Sequence, residues 1–321
     1  MVRTPRFIQL QAVDDARQMP ALWAGLQAPV ARVSPKYFYD ALGSRLFEAI
    51  TELDEYYPTR TEAAIFDAHA ADMAARLRAH AGPAHDLIDL GAGNCAKAAK
   101  LFPLFAPRRY VAVDISVDFL KHSLECLQRA HPDMDMLGVG LDFSATLALP
   151  ATLYEGPALV FYPGSSIGNF APDEALRLLR ETRGAARGGA LLIGVDLVKD
   201  KAVLDAAYDD ALGVTAAFNL NVLRHLNRIA GTDFRIADWR HVAFFEPANS
   251  RIEMHLEARQ SLTVHWPGGE RRFAAGERIL TEHSWKWTRA RFDALLREAG
   301  FGDITCWTDT RDGFAVFLAC A

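Results

Sequence analysis

The residues best suited to chemistry lie at the ends of short apolar runs. Asp86-Leu-Ile-Asp-Leu90 closes on Gly91-Ala-Gly-Asn94. Glycines here remove side chains where the chain turns tightly, and they let a ligand approach the backbone. Asp114 ends the next run, Tyr110-Val-Ala-Val-Asp-Ile115, where a carboxylate can accept from both hydroxyls of a ribose. Asp142-Phe143, after the run Met136–Leu141, offers an acceptor for an exocyclic amine and a ring for stacking. Three readings compete. A nicotinamide or flavin site wants GxGxxG, and Ala96 stands at its third position, where Ala is tolerated. An S-adenosylmethionine site fits Asp89-Leu-Gly-Ala-Gly93 as [DE]xGxG, and Asp142-Phe143 and a closing hairpin at the C-terminal end favour it. In the third, Gly91 and Gly93 merely end a strand.

These turns need a sheet to hold them. Strand signals at 86–90, 110–115, 136–141, 158–162 and 190–195 alternate with helical ones at 96–102, 117–130 and 173–187. Such alternation specifies a parallel sheet with helices on both faces, whose ligands bind outside the carboxyl ends of the strands. Pro103 is expected to stop the first of these helices. The pattern then changes. Residues 200–230 read as helical, and Trp239–Gln260 with Leu262–Phe273 read as a polar/apolar meander. A helix resumes at Arg289–Gly300, followed by strands at Asp303–Thr308 and Gly313–Ala319. The expected architecture is α/β, a Rossmann-like doubly wound sheet over 61–196 and 287–321. An inserted α+β substrate-binding domain is expected over 1–60 and 197–286.

Composition bounds the rest. Of 321 residues, 50% are hydrophobic and 23% charged, which suits a globular chain. The net charge of −5 implies no general affinity for nucleic acid or anionic membrane, so a small-molecule partner is expected. Cys95, Cys126, Cys306 and Cys320 form no CxxC pair, and the ten histidines form no HExxH. No metal site or disulfide framework is expected, and a reducing cytoplasm suits the chain. The first 18 residues, broken by Asp14, Asp15 and Arg17, do not read as a signal peptide, and no apolar run is long enough to span a bilayer.

Further motifs narrow the choice. Pro35-Lys-Tyr-Phe-Tyr-Asp-Ala-Leu-Gly-Ser44, Leu46-Phe47 and Tyr56-Tyr-Pro-Thr-Arg-Thr-Glu62 precede the sheet. Gly164-Ser-Ser-Ile-Gly-Asn169, Asp196-Leu-Val-Lys-Asp200, Ala207-Tyr-Asp-Asp210 and Gly213-Val-Thr-Ala-Ala-Phe-Asn219 follow, then Arg251-Ile-Glu-Met254 and Thr281-Glu-His-Ser284. In this order, from about residue 35 to the end, the chain resembles the L-histidine Nα-methyltransferases of ergothioneine biosynthesis, class I methyltransferases that use S-adenosylmethionine. The resemblance implies trimethylation of the α-amine of L-histidine to hercynine. Relatives methylate other amines, tryptophan derivatives among them, and a non-catalytic binding protein on the same fold is the alternative of another class.

The resemblance implies cofactor contacts at Gly91, Lys97, Asp114, Asp142 and Phe143. It implies that Tyr56, Asn169 and Tyr208 meet the carboxylate and amine of the amino acid, with Tyr56 and Asn169 nearest the reaction. Glu282 and Ser284 would hold the imidazole and Met254 would pack against it, while Tyr39, Phe47 and Tyr56 could face an alkylated ammonium. A monomer is expected. His283 and Trp285 are bulkier than the pattern suggests. Taken singly, several of these residues have plainer readings. Tyr208 and Met254 suit a core, Lys97 a helix surface, Asn169 a left-handed turn and Cys95 a small hydrophobe against the sheet. Arg177, Arg180, Glu181 and Arg187 read as a wet helix face.

Overall fold

Runs such as Leu159-Val-Phe-Tyr162 show no polar alternation, so they suit strands covered on both faces. The structure, a computed structural model, describes residues 3–10 and 15–321. The parts of the expected second domain at residues 1, 2 and 11–14 lie outside the described residues. The chain divides into two units: Met1–Ala12, Pro58–Val198 and Lys286–Ala321, then Val13–Tyr57 and Lys199–Trp285.

Numbered along the whole chain, the first unit holds β1 (Arg6–Gln9), α3 (Tyr57–Ala81), β3 (Asp86–Leu90), α4 (Ala96–Phe105) and β4 (Arg109–Asp114). It continues with α5 (Val117–Ala130), β5 (Asp135–Gly140), β6 (Ala158–Tyr162), α6 (Pro172–Ala186), β7 (Ala190–Asp196), α9 (Arg289–Glu298), β13 (Gly302–Thr308) and β14 (Phe314–Cys320). Its sheet runs β1-β5-β4-β3-β6-β7-β14-β13. Pairing is parallel from β1 to β7, and β14 enters antiparallel between β7 and β13. Every residue of β3, β6 and β7 is buried. This is a doubly wound Rossmann-like sheet closed by an antiparallel hairpin.

Two details correct the sequence pattern. The N-terminal residues 3–10 belong to the first unit, where β1 extends the sheet beside β5. The reason lies in the partner strand. A Cβ on Gly138 would stand 2.4 Å from Phe7 Cε1, so only glycine leaves room for that ring. Second, α4 passes through Pro103 to Phe105 before Ala106 ends it in the left-handed region. Phe102 and Phe105 are both buried, and packing of that face outweighs the lost hydrogen bond.

The second unit holds α1 (Asp15–Gln27), β2 (Ala31–Arg32), α2 (Ala41–Thr51), α7 (Lys201–Tyr208), α8 (Val214–Ala230), β8 (Trp239–Glu246), β9 (Arg251–Ala258), β10 (Leu262–Trp266), β11 (Gly269–Phe273) and β12 (Arg278–Trp285). The sheet order is β2-β12-β9-β8, with β10-β11 a separate hairpin. Asp40 caps α2 by accepting from the Gly43 N–H at 2.8 Å. Phe38 stacks on Phe218 of α8 with centroids 4.5 Å apart.

In the first unit, Asp196 at the end of β7 pairs with Lys286 at 2.8 Å, both side chains 1% exposed. Removing one partner leaves a buried charge, which typically costs about 3–5 kcal/mol. Lys286→Met is therefore expected to lower stability by about 3 kcal/mol or more in chemical denaturation. A loss within about 0.5 kcal/mol, as for an ordinary surface substitution, would contradict this.

Candidate functional site

The turn after β3 is built from backbone that side chains rarely tolerate. Gly91 and Gly93 have φ of +70° and +53°. The Gly91 and Ala92 N–H groups donate to the Val113 carbonyl at 2.9 and 3.2 Å. The Gly93 N–H donates to Asp114 Oδ2 at 2.9 Å, and the Ser116 N–H to Oδ1 at 2.8 Å. These bonds hold the Asp114 carboxylate rigid and leave each oxygen a further lone pair. Burial pushes its pKa up, opposed by the backbone bonds from Ser116 and Gly93. The Phe143 ring lies beside the turn: a Cβ on Gly91 would reach its Cζ at 4.0 Å. Phe143 also meets Tyr162 edge-on at 5.8 Å. Asp142 accepts from the Ser144 N–H at 3.1 Å, which fixes the start of the loop.

Residues of α6 hold the rest of that loop. Arg177 donates to the Ser144 carbonyl at 2.9 Å, and Glu181 accepts from the Leu147 N–H at 2.7 Å. Arg187 lies 4.0 Å over the Tyr154 ring. These three charges brace loops rather than forming a merely wet face. Cys95 is fully buried and burial pushes its thiol up to about 12, so it behaves as the small hydrophobe expected.

Asp89, two residues before Gly91, accepts from the Tyr110 hydroxyl at 2.7 Å through Oδ2, while its buried Oδ1 has no hydrogen-bond partner. Burial pushes its pKa up to about 7. A partnerless oxygen beside a glycine turn suits a ligand that brings a donor. Together with the Asp114 lone pairs and the Phe143 ring, these residues fit the nucleoside and amino-acid tail of S-adenosylmethionine.

Lys97, in the first turn of α4, is not an ordinary surface lysine. Its Nζ lies 2.6 Å from Oε2 of Glu62, a residue with no exposed surface. Glu62 Oε1 accepts from the Gly164 N–H at 2.7 Å. Gly164 opens the loop that becomes the 3-10 turn Ser166–Asn169. Asn169 is half-buried, and its side-chain amide makes no hydrogen bond among the described residues.

In the second unit the aromatic residues of the expected substrate set form one line. Ring centroids are 5.9 Å apart for Tyr39 and Phe47, 6.1 Å for Phe47 and Tyr56, and 6.4 Å for Tyr56 and Tyr208. The Tyr208 hydroxyl donates to Ser284 Oγ at 2.9 Å. On the neighbouring strand Met254 pairs directly with Glu282, just past a register shift after Leu280. Residues two apart on β12 share a face, so Glu282, Ser284 and the paired Met254 lie together. His283 and Trp285 belong to the other face. His283 lies 3.7 Å from Glu253, and Trp285 lies under Arg251 at 5.1 Å. Their bulk does not shape the Glu282 face.

Two supporting residues escape sequence reasoning. Glu62 reads as one carboxylate in a helical run. His241 reads as an alternating strand residue, yet its Nε2 lies 2.9 Å from the Tyr208 carbonyl and its Nδ1 2.9 Å from Asn219 Nδ2. A carbonyl only accepts, so Nε2 carries the proton and Nδ1 accepts. Burial lowers the His241 pKa and favours this neutral form. His241 thereby fixes the backbone of Tyr208.

Strand order, glycine turn and acidic strand end together define an S-adenosylmethionine-dependent methyltransferase fold of class I. The family described as histidine-specific methyltransferase, SAM-dependent, matches residues 18–321. The chain is 40% identical over 306 residues to histidine N-alpha-methyltransferase of Mycolicibacterium smegmatis, covering 92% of each chain. It is 39% identical to the enzyme of that name from Mycobacterium tuberculosis, covering 93% of each. Over 309 residues it is 30% identical to ergothioneine biosynthesis protein 1 of Neurospora crassa, covering 92% of this chain and 32% of that one. The chain belongs to the histidine-specific, S-adenosylmethionine-dependent methyltransferase family.

The Asp89 environment has a consequence for stability. An unfolded aspartate ionises near pH 3.9, whereas the folded one holds its proton to about 7. Between these values the folded chain binds the extra proton. Its contribution to stability therefore falls as pH rises, by up to about 1.4 kcal/mol per pH unit. Asp89→Asn, which can still accept from Tyr110, is expected to flatten the fall of Tm from pH 5 to 7. Parallel Tm curves for the two proteins would rule this out.

Proposed function

We propose that the protein transfers methyl groups from S-adenosylmethionine to the α-amine of L-histidine, three times in succession, yielding hercynine at the start of ergothioneine biosynthesis. Family membership supports histidine as substrate. The observation that carries the reading is the line Tyr39–Phe47–Tyr56–Tyr208, which ends at Ser284 on the face that also bears Glu282. Aromatic faces accept an alkylated ammonium without a counter-charge. Beside them stand a carboxylate and a hydroxyl suited to the two ring nitrogens of an imidazole.

When bound, S-adenosylmethionine supplies a methyl group made electrophilic by its sulfonium. In this reading Asp114 accepts from the ribose, Asp142 and Phe143 meet the adenine, Gly91 admits the nucleoside to the backbone and Lys97 meets the cofactor's tail. Tyr56, Asn169 and Tyr208 orient the amine and carboxylate of histidine, Tyr56 and Asn169 nearest the reaction. Asn169 suits this because its free amide offers both a donor and an acceptor. Glu282 accepts from one imidazole N–H, Ser284 meets the other nitrogen and Met254 packs on the ring. The amine must shed its proton to water or a solvent chain before each transfer, so most of the catalytic work is orientation and exclusion of bulk water. The reading takes the enzyme to be a cytoplasmic monomer, and its net charge of −5 gives no pull toward nucleic acid or an anionic membrane.

Incubation with S-adenosylmethionine and a panel of amino acids, read by mass spectrometry, tests the reading. Histidine is expected to gain one, two and three methyl groups. Methylation of tryptophan but not histidine would overturn the substrate assignment, and no transfer to any amine would overturn the enzyme. Glu282→Ala removes a charged hydrogen-bond partner worth about 1.5–3 kcal/mol, so histidine should bind about tenfold to a hundredfold more weakly by calorimetry. The variant should also discriminate less against aromatic amino acids without ring nitrogens. Unchanged histidine affinity would refute the role of Glu282.

A further inference from the structure

We propose that Glu62 is a positioning residue for the amino-acid end of the cofactor. Acting through Lys97, it sets where the cofactor's carboxylate is held, and through Gly164 it anchors the loop that leads to Asn169. The assignment rests on the reading that Lys97 meets S-adenosylmethionine.

Glu62 does not itself meet a ligand. It has no exposed surface, and each oxygen is engaged, Oε2 by Lys97 Nζ at 2.6 Å and Oε1 by the Gly164 N–H at 2.7 Å. A buried carboxylate is tolerated only when paired and hydrogen-bonded, and these contacts supply both conditions. The space for it is equally specific. A Cβ on Gly194 of β7 would lie 2.0 Å from Glu62 Oε1, and one on Gly164 would lie 3.2 Å from Lys97 Nζ. A glycine on β7 and another in the loop after the neighbouring β6 thus leave room for one ion pair at the carboxyl ends of these strands, where an open sheet binds its ligands.

Lys97 is the outward half of this arrangement. Its side chain is 38% exposed against 1% for Glu62. A lysine ammonium has three donors, and Glu62 engages one of them. A free lysine would lose much rotamer freedom on meeting a ligand, and the ion pair removes part of that freedom beforehand. S-adenosylmethionine has one anionic group, the carboxylate of its amino-acid tail, and an ammonium can attract only that. Glu62 therefore fixes a cation against the one part of the cofactor that the nucleoside contacts at Asp114, Asp142 and Phe143 do not reach.

Calorimetry of the whole protein tests this with two probes. S-adenosylhomocysteine carries the amino-acid tail, and 5′-methylthioadenosine has the same nucleoside without it. Glu62→Gln keeps the shape and removes the charge. It is expected to weaken S-adenosylhomocysteine about tenfold and leave methylthioadenosine unchanged. Lys97→Met should show the same selectivity, and the double variant should be no weaker than Lys97→Met alone. If Glu62→Gln does not fold, Glu62→Asp, which retracts the charge by one methylene, should show the same selective loss. Equal weakening of both probes would make Glu62 merely structural, and unchanged S-adenosylhomocysteine affinity would remove it from the site. Either result overturns this assignment and leaves the methyltransferase reading standing. Failure of the unaltered protein to bind S-adenosylhomocysteine would instead sink the cofactor reading, and this assignment with it.

Discussion

A parallel sheet buried on both faces can offer groups for chemistry only where its strands stop. In the first unit β3, β6 and β7 are buried throughout, so side chains along the middle of each strand are taken up by the core. Everything polar that the site needs is displaced to the strand ends: Asp89 and the glycine turn, Asp114, Asp142-Phe143 and the Gly164–Asn169 loop. At those ends the backbone takes left-handed conformations at Gly91, Gly93, Ser165 and Gly164, which strand residues do not adopt. The cost of such turns is recovered locally. Asp114 accepts from the Gly93 N–H in the turn after β3 and from the Ser116 N–H just past its own strand, and Ser165 Oγ accepts from the Asp196 N–H at 2.8 Å.

Buried charges at these ends follow one rule. Each has a partner assigned by the fold, and the partner comes from another element. Glu62 of α3 meets Lys97 of α4 and the backbone after β6. Asp196 of β7 meets Lys286, which follows β12. Tyr110 of β4 meets Asp89 of β3. Each partner is distant in sequence, so every pair depends on the tertiary fold and not on local structure.

That separation also explains what the sequence discloses and what it hides. The central strands are legible because uninterrupted apolar runs and glycine stops are local signals. Helix α5 matches its expected bounds at Val117–Ala130, since its amphipathic pattern and flanking breaks are local too. Strand β1 is hidden. Arg6-Phe-Ile-Gln9 is four residues without a clear alternation, and its place depends on Gly138, far along the chain. Glu62 is hidden for the same reason, because its burial is decided by Gly164 and Gly194, 102 and 132 residues away. The candidate substrate residues form a middle case. Tyr208 and Met254 read singly as core, and only family resemblance singles them out. The geometry that joins Tyr208 to Ser284, and Met254 to Glu282, is a property of α7, β9 and β12 in three dimensions.

The proposed chemistry explains why such a site would use aromatic rings in place of acids around the amine. Before each transfer the amine must be neutral, yet after the third it carries a permanent positive charge. A carboxylate beside it would stabilise the final cation, and it would equally stabilise the protonated starting amine and so oppose the loss of the proton. Rings such as Tyr39, Phe47 and Tyr56 attract a cation more weakly than an anion does, and they take up added methyl groups as apolar contact. The carboxylate of the set, Glu282, lies on the strand face with Met254 and Ser284, and its proposed role is toward the imidazole and not the amine. Neutral His241, held in one tautomer by the Tyr208 carbonyl and Asn219, fits the same demand: it fixes Tyr208 in place without adding a charge.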